Sequence, residues 1–118
     1  MARVLIVDDE PHMRDLIAHM LAPTRHEVVG VAADGETALA LWRELEPDVI
    51  VLDQMMAKVP GLEVARKVLA EKPTQAIILF TAYPDRSVFI EAEALGVAAC
   101  VSKTDIEFVS AIIANVSP

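Results

Sequence analysis

Five side chains in this sequence have the types and the placement needed to handle a phosphoryl group. Asp8 and Asp9 follow the apolar run Val4-Leu5-Ile6-Val7, Asp53 follows Val49-Ile50-Val51-Leu52, and Thr81 follows Ala76-Ile77-Ile78-Leu79-Phe80. Lys103 closes a fourth run, Val97-Ala98-Ala99-Cys100-Val101-Ser102. Carboxylates are hard oxygen donors suited to Mg²⁺, which keeps several waters and also takes phosphate oxygens. A carboxylate can act as a nucleophile toward phosphorus. An ammonium and a hydroxyl can neutralise the charge spread over the transferring group. Each residue alone is weakly informative. The Asp pair could cap a helix, Asp53 could sit in a turn, Thr81 is at home at a strand end, and a lone lysine is usually a solvated charge. Their shared position, at the carboxyl end of an apolar run, is what joins them.

Short runs rich in Val and Ile, set between helical patterns, read as buried parallel strands. Strands are expected near 3–7, 26–31, 48–52, 76–80 and 97–101, and helices near 11–21, 35–46, 61–71, 85–95 and 105–116. Met13, Leu16, Ile17, Met20 and Leu21 repeat at helical spacing. Pro11 suits a first helical turn, Asp34 an N-cap and Gly96 a helix stop. Thr104-Asp105-Ile106-Glu107 reads as a capping box opening the last helix. Alternating strand and helix units imply a parallel sheet with right-handed crossovers. Ligands of open α/β sheets bind outside the carboxyl ends of the strands, so the five side chains would converge on one sheet edge.

The 118 residues read as one domain, 1–118, large enough for a core. The 54% hydrophobic content excludes a disordered chain. No apolar run is long enough to span a membrane, and the start lacks the charged-then-apolar layout of a secretion signal. A net charge of −8 argues against direct binding of nucleic acid. Cys100 reads as a buried small hydrophobe in a reducing cytosol. His12, His19 and His26 show no metal-ligand spacing, and Trp42, near Ala38, Leu39 and Leu41, reads as a packing residue.

On Asp8-Asp9, Asp53, Thr81 and Lys103, each at a strand end, the chain resembles the receiver domains of two-component response regulators, from Val4 to about Val116. The resemblance implies a flavodoxin-like, doubly wound α/β fold: five parallel strands in the order 2-1-3-4-5 with five helices. It implies Asp53 as phosphoacceptor, with Mg²⁺ bound directly by Asp9 and Asp53, through water by Asp8, and by the Met55 carbonyl. Lys103 and Thr81 would hold phosphoryl oxygens. The phosphate would come from a histidine kinase or a phosphotransfer protein. The product would be a cytoplasmic signalling switch and not a conventional enzyme, with output or homodimerisation through the face of helix 4, strand 5 and helix 5. Met55 and Tyr83, both bulky, occupy the family positions that tune loss of phosphate.

Three departures from the family pattern bear on this reading. Ala57 replaces a usual proline, and Pro60 replaces a usual acid before Gly61. Thr104 replaces the proline that commonly follows the lysine, so the Lys103–Thr104 bond is expected to be trans. Cys100 stands where the family usually carries Tyr or Phe as a rotameric switch. A phosphorylation-independent receiver-like interaction module is therefore the alternative. A small phosphohydrolase with an aspartate nucleophile is disfavoured, because Gln54-Met55 follows Asp53 and breaks the Asp-x-Asp spacing of haloacid-dehalogenase-type phosphatases.

Overall fold

The computed structural model describes residues 1–118. The apolar runs become strands β1 (Arg3–Val7), β2 (Glu27–Ala32), β3 (Val49–Leu52), β4 (Ala76–Thr81) and β5 (Ala99–Ser102). Between and after them lie α1 (Pro11–Leu21), α2 (Gly35–Leu45), α3 (Gly61–Glu71), α4 (Arg86–Leu95) and α5 (Val109–Val116). All strand pairs are parallel, and the order is β2-β1-β3-β4-β5. This is the expected doubly wound α/β arrangement. One irregularity interrupts the register, where Val4 faces Val28 but Leu5 faces Gly30.

Successive strand residues point to opposite faces of the sheet. Leu5, Val7, Ile50, Leu52, Ile77 and Leu79 pack in one layer with residues of α2, α3 and α4. Val4, Ile6, Val49, Val51, Ile78 and Phe80 pack in the other with residues of α1 and α5. Both faces are covered, which is why these strands read as unbroken apolar runs and not as alternating ones.

Most of the expected punctuation is in place. Pro11 opens α1, Asp34 accepts the Thr37 N–H at 2.8 Å ahead of α2, and Gly96 ends α4 at φ 101°. The structure contains no cis peptide bond. Trp42 is buried and donates its indole N–H to Gln75 Oε1 at 3.0 Å. His12 and His19 are exposed. His26 is half-buried and ties two elements: Nδ1 accepts the Ala2 N–H and Nε2 faces the Ser110 carbonyl, each at 3.2 Å.

The chain end departs from expectation. The capping box at 104–107 does not form. Ser102 caps earlier, its Oγ accepting the Thr104 N–H at 3.2 Å, and Lys103–Phe108 winds as a 3₁₀ helix. Asp105, at φ −95° and ψ 23°, is outside helical geometry, so the α-helical ladder starts only at Val109. β5 also begins two residues later than the apolar run suggests. No helix is long and apolar enough to cross a membrane.

Candidate functional site

Strand register brings the chemistry together. Val7 pairs with Leu52, Leu52 with Leu79, and Thr81 with Ser102. Asp8 and Asp53 are each the next residue beyond the first row, and Lys103 is the next beyond Ser102. The Asp53 N–H donates to the Val7 carbonyl at 2.8 Å, which continues the sheet ladder into the site.

Asp8, Asp9 and Asp53 each present a carboxylate oxygen, and these oxygens all lie within 4.8 Å of one another. Asp8 and Asp53 are buried, whereas Asp9 is exposed. Lys103 Nζ is 2.7 Å from Asp8 Oδ2 and 3.3 Å from Asp53 Oδ1. Asp8 is held from both sides. Its Oδ1 accepts the Glu10 N–H at 2.9 Å, and its carbonyl accepts from Arg14 Nη1 at 2.7 Å. Asp53 Oδ1 accepts the Met55 N–H at 3.3 Å. Thr81 is buried, and its Oγ1 accepts the Tyr83 N–H at 3.2 Å, which leaves its own O–H to donate elsewhere. The side chains of Met55 and Tyr83 are exposed.

Burial raises the Asp53 pKa, the neighbouring Asp8 carboxylate raises it further, and Lys103 and the Met55 N–H only partly oppose them, so it reaches about 6. One lysine thus faces two buried carboxylates, with a third carboxylate beside them. This hard-oxygen, anion-rich set fits a small divalent cation such as Mg²⁺, whose charge would relieve the repulsion.

Three contributors carry little sequence signal. Gly61 is required by close approach, since an added Cβ would overlap the Asp53 carbonyl oxygen. Gln54 reaches the start of α3, its Oε1 accepting the Leu62 N–H at 2.7 Å. Arg14 anchors the Asp8 backbone. The unusual Pro60-Gly61 pair was the only visible hint, and nothing in the chain marks Gln54 or Arg14.

The family model for the response regulator receiver domain matches residues 4–113. This chain is a response regulator receiver domain. Phosphoacceptor function is standard for that family, and the domain serves as a signalling switch and not as an enzyme in its own right. Among curated relatives, the receiver is 42% identical over 100 residues to protein-glutamate methylesterase/protein-glutamine glutaminase 3 of Anaeromyxobacter dehalogenans, covering 84% of this chain. It spans only 29% of that enzyme's length. It is 36% identical over 96 residues to Protein CcdB of Bacillus subtilis, covering 81% of this chain and 80% of CcdB. Its fold matches a LuxR-family two-component response regulator from Aurantimonas sp. SI85-9A1 at a TM-score of 0.90 and 30% identity, over 98% of this chain and 85% of that one.

Proposed function

We propose that Asp53 is the phosphoacceptor of this receiver and takes its phosphoryl group from the phosphohistidine of a histidine kinase or phosphotransfer protein. The observation that carries this reading is the geometry at Asp53. It is a buried carboxylate at the carboxyl edge of the sheet, 3.3 Å from Lys103 and clustered with two further acids. Mg²⁺ would be held by Asp8, Asp9, Asp53 and the carbonyl of Met55, and when bound it supplies positive charge against the acids and the phosphoryl oxygens.

In the transfer, an Asp53 carboxylate oxygen attacks phosphorus opposite the bond to the donor imidazole nitrogen. The P–O bond forms as the P–N bond breaks, and the electron pair leaves on the imidazole. Little covalent chemistry falls to the protein, so positioning and charge dominate. Lys103 leaves Asp53 for a phosphoryl oxygen, and the Thr81 O–H donates to another. Met55 and Tyr83 flank the group and slow the approach of water, so the aspartyl phosphate is long-lived.

The output surface is the α4–β5–α5 face, where Lys103 and Thr81 couple site to surface and a second copy of the chain can dock. Ile90 is exposed on α4, and Phe108 is exposed at the end of the 3₁₀ turn that leads into α5. The reading places the domain in the cytoplasm, where Cys100 stays reduced. Cys100, in place of a switching aromatic, favours a second reading, a phosphorylation-independent interaction module. Mass spectrometry with acetyl phosphate and Mg²⁺ separates the two. Wild type should gain one phosphoryl group and Asp53→Asn none. Equal uptake by the two refutes Asp53, and no uptake by wild type favours the bare module.

A further inference from the structure

The start of α3 lacks the cap its own sequence should supply. Pro60 occupies the N-cap position with φ −66° and ψ 154° and makes no side-chain cap hydrogen bond. The first backbone N–H groups of a helix have no partner within the helix and need one from outside. Here Gln54, the residue immediately after Asp53, takes two of them. Its carbonyl accepts the Gly61 N–H at 3.0 Å, and its side-chain Oε1 accepts the Leu62 N–H at 2.7 Å. The same carbonyl also accepts the Met56 N–H at 3.2 Å. Residue 54 is thereby pinned by three backbone donors, two of them from α3.

That pinning bears on the site. Between Gln54 and Met56 lies Met55, whose N–H reaches Asp53 Oδ1 at 3.3 Å. Gly61 packs so closely on the Asp53 carbonyl that even a methyl group would overlap it. The helix start, the loop and the phosphoacceptor therefore form one connected unit: the Asp53 carboxylate ties the loop at Met55, and the Gln54 amide ties the loop to the start of α3. The other caps in the molecule do not share this arrangement. Asp34 and Asp85 each cap the helix that directly follows them, through the Thr37 N–H and through the Ser87 and Val88 N–H groups.

We propose that Gln54 is a positioning residue for phosphoryl transfer: by capping α3 from the residue next to Asp53, it holds the Met55 backbone in register with the phosphoacceptor. The proposal rests on the reading of Asp53 given above. It concerns no direct contact between Gln54 and the phosphoryl group. Loss of the amide should loosen the 54–60 loop, weaken Mg²⁺ binding and slow phosphorylation together. Support of this kind, one shell out from the ligands, is commonly worth roughly 10- to 100-fold in metal affinity, and roughly tenfold is expected here.

The test compares wild type, Gln54→Leu, and the double variant Gln54→Leu/Pro60→Asp. Aspartate at 60 restores a cap from the usual position, and the extended backbone there already suits one. Each protein is titrated with Mg²⁺ alone by calorimetry, and its rate of labelling by acetyl phosphate is measured well below its melting temperature. Gln54→Leu should lose roughly tenfold in both Mg²⁺ affinity and labelling rate, and the double variant should recover most of both. Gln54→Leu with unchanged affinity and rate overturns the proposal, as does a loss that Pro60→Asp cannot repair while the double variant melts like wild type. If wild type binds Mg²⁺ but takes no label, the phosphoacceptor reading fails, and the Mg²⁺ affinities of the three proteins still decide the role of Gln54. Wild type that neither binds nor labels overturns both.

Discussion

Lys103 lies closer to Asp8 than to Asp53, at 2.7 Å from Asp8 Oδ2 against 3.3 Å from Asp53 Oδ1. Without metal this single ammonium is the counter-ion of two buried carboxylates. It is well sheltered itself, with its side chain 11% exposed. In the proposed transfer a phosphoryl oxygen on Asp53 would compete with these two carboxylates for Lys103, so metal binding and lysine release would be linked. A divalent cation among the acids makes that release less costly.

Replacing Lys103 tests this linkage. Lys103→Met should lower metal-free stability by about 3 kcal/mol, because removing one partner of a buried pair strands the other charge. Urea melts at pH 7 should show the loss, and saturating Mg²⁺ should recover most of it. An unchanged metal-free midpoint would mean that the acids are already neutralised by other means.

The pH dependence of metal-free stability should carry the signature of Asp53. Its folded-state pKa of about 6 lies above the ordinary 3.8, so between these values the folded state binds the proton more tightly than the unfolded chain. Stability from this group is therefore present at low pH and falls as pH rises through about 6. The difference between wild type and Asp53→Asn should change by about 1–2 kcal/mol from pH 4 to pH 7, less than the full shift would imply because solvent relaxation screens the site. Asp53→Asn should be the more stable protein at pH 7. Saturating Mg²⁺, which binds the ionised carboxylate, should abolish the difference in wild type's disfavour. A flat difference curve without metal contradicts the raised pKa.

Gly61→Ala should cost about 1–3 kcal/mol, as expected when a methyl group is forced into filled space. The atom it meets is the Asp53 backbone carbonyl, which cannot rotate away as a side chain can. Acetyl phosphate labelling should slow along with the loss of stability. Thermal melts and labelling rates near those of wild type would show that the loop accommodates a Cβ.

Self-association tests the proposed α4–β5–α5 output face. Cys100 is half-buried beside a cleft of about 330 Å³ bordered by Phe89, Glu93 and Val97. A thiol has too little bulk to swing between buried and exposed positions as an aromatic ring would. Sedimentation of wild type with and without beryllofluoride should show a coupling of about 1 kcal/mol, at the low end for an allosteric switch. Cys100→Tyr, with a cleft beside it to receive the ring, should enlarge that coupling. A strong mimic-dependent shift in wild type that tyrosine does not increase contradicts weak coupling, and no shift in either protein argues that output lies elsewhere.

The sequence by itself determined the alternating strand-and-helix architecture and which side chains stand at the carboxyl ends of the strands. Val4–Val7, Val49–Leu52 and Ala76–Phe80 are apolar at every position because both sheet faces are covered, and a strand buried on both sides has no other pattern open to it. Once those strands are parallel, their carboxyl ends share one edge, and Asp8, Asp9, Asp53, Thr81 and Lys103 follow. Tertiary structure alone decided the supports. Lys103 pairs with Asp8 from 95 positions further along the chain. Ser102 took the cap expected of Thr104 because its hydroxyl reaches the chain first as it leaves β5. Gln54 became the cap of α3 only because the loop folds back to bring Leu62 within reach. Apolar periodicity is a local property, legible residue by residue, whereas a hydrogen bond between distant segments depends on where the whole chain places its two ends.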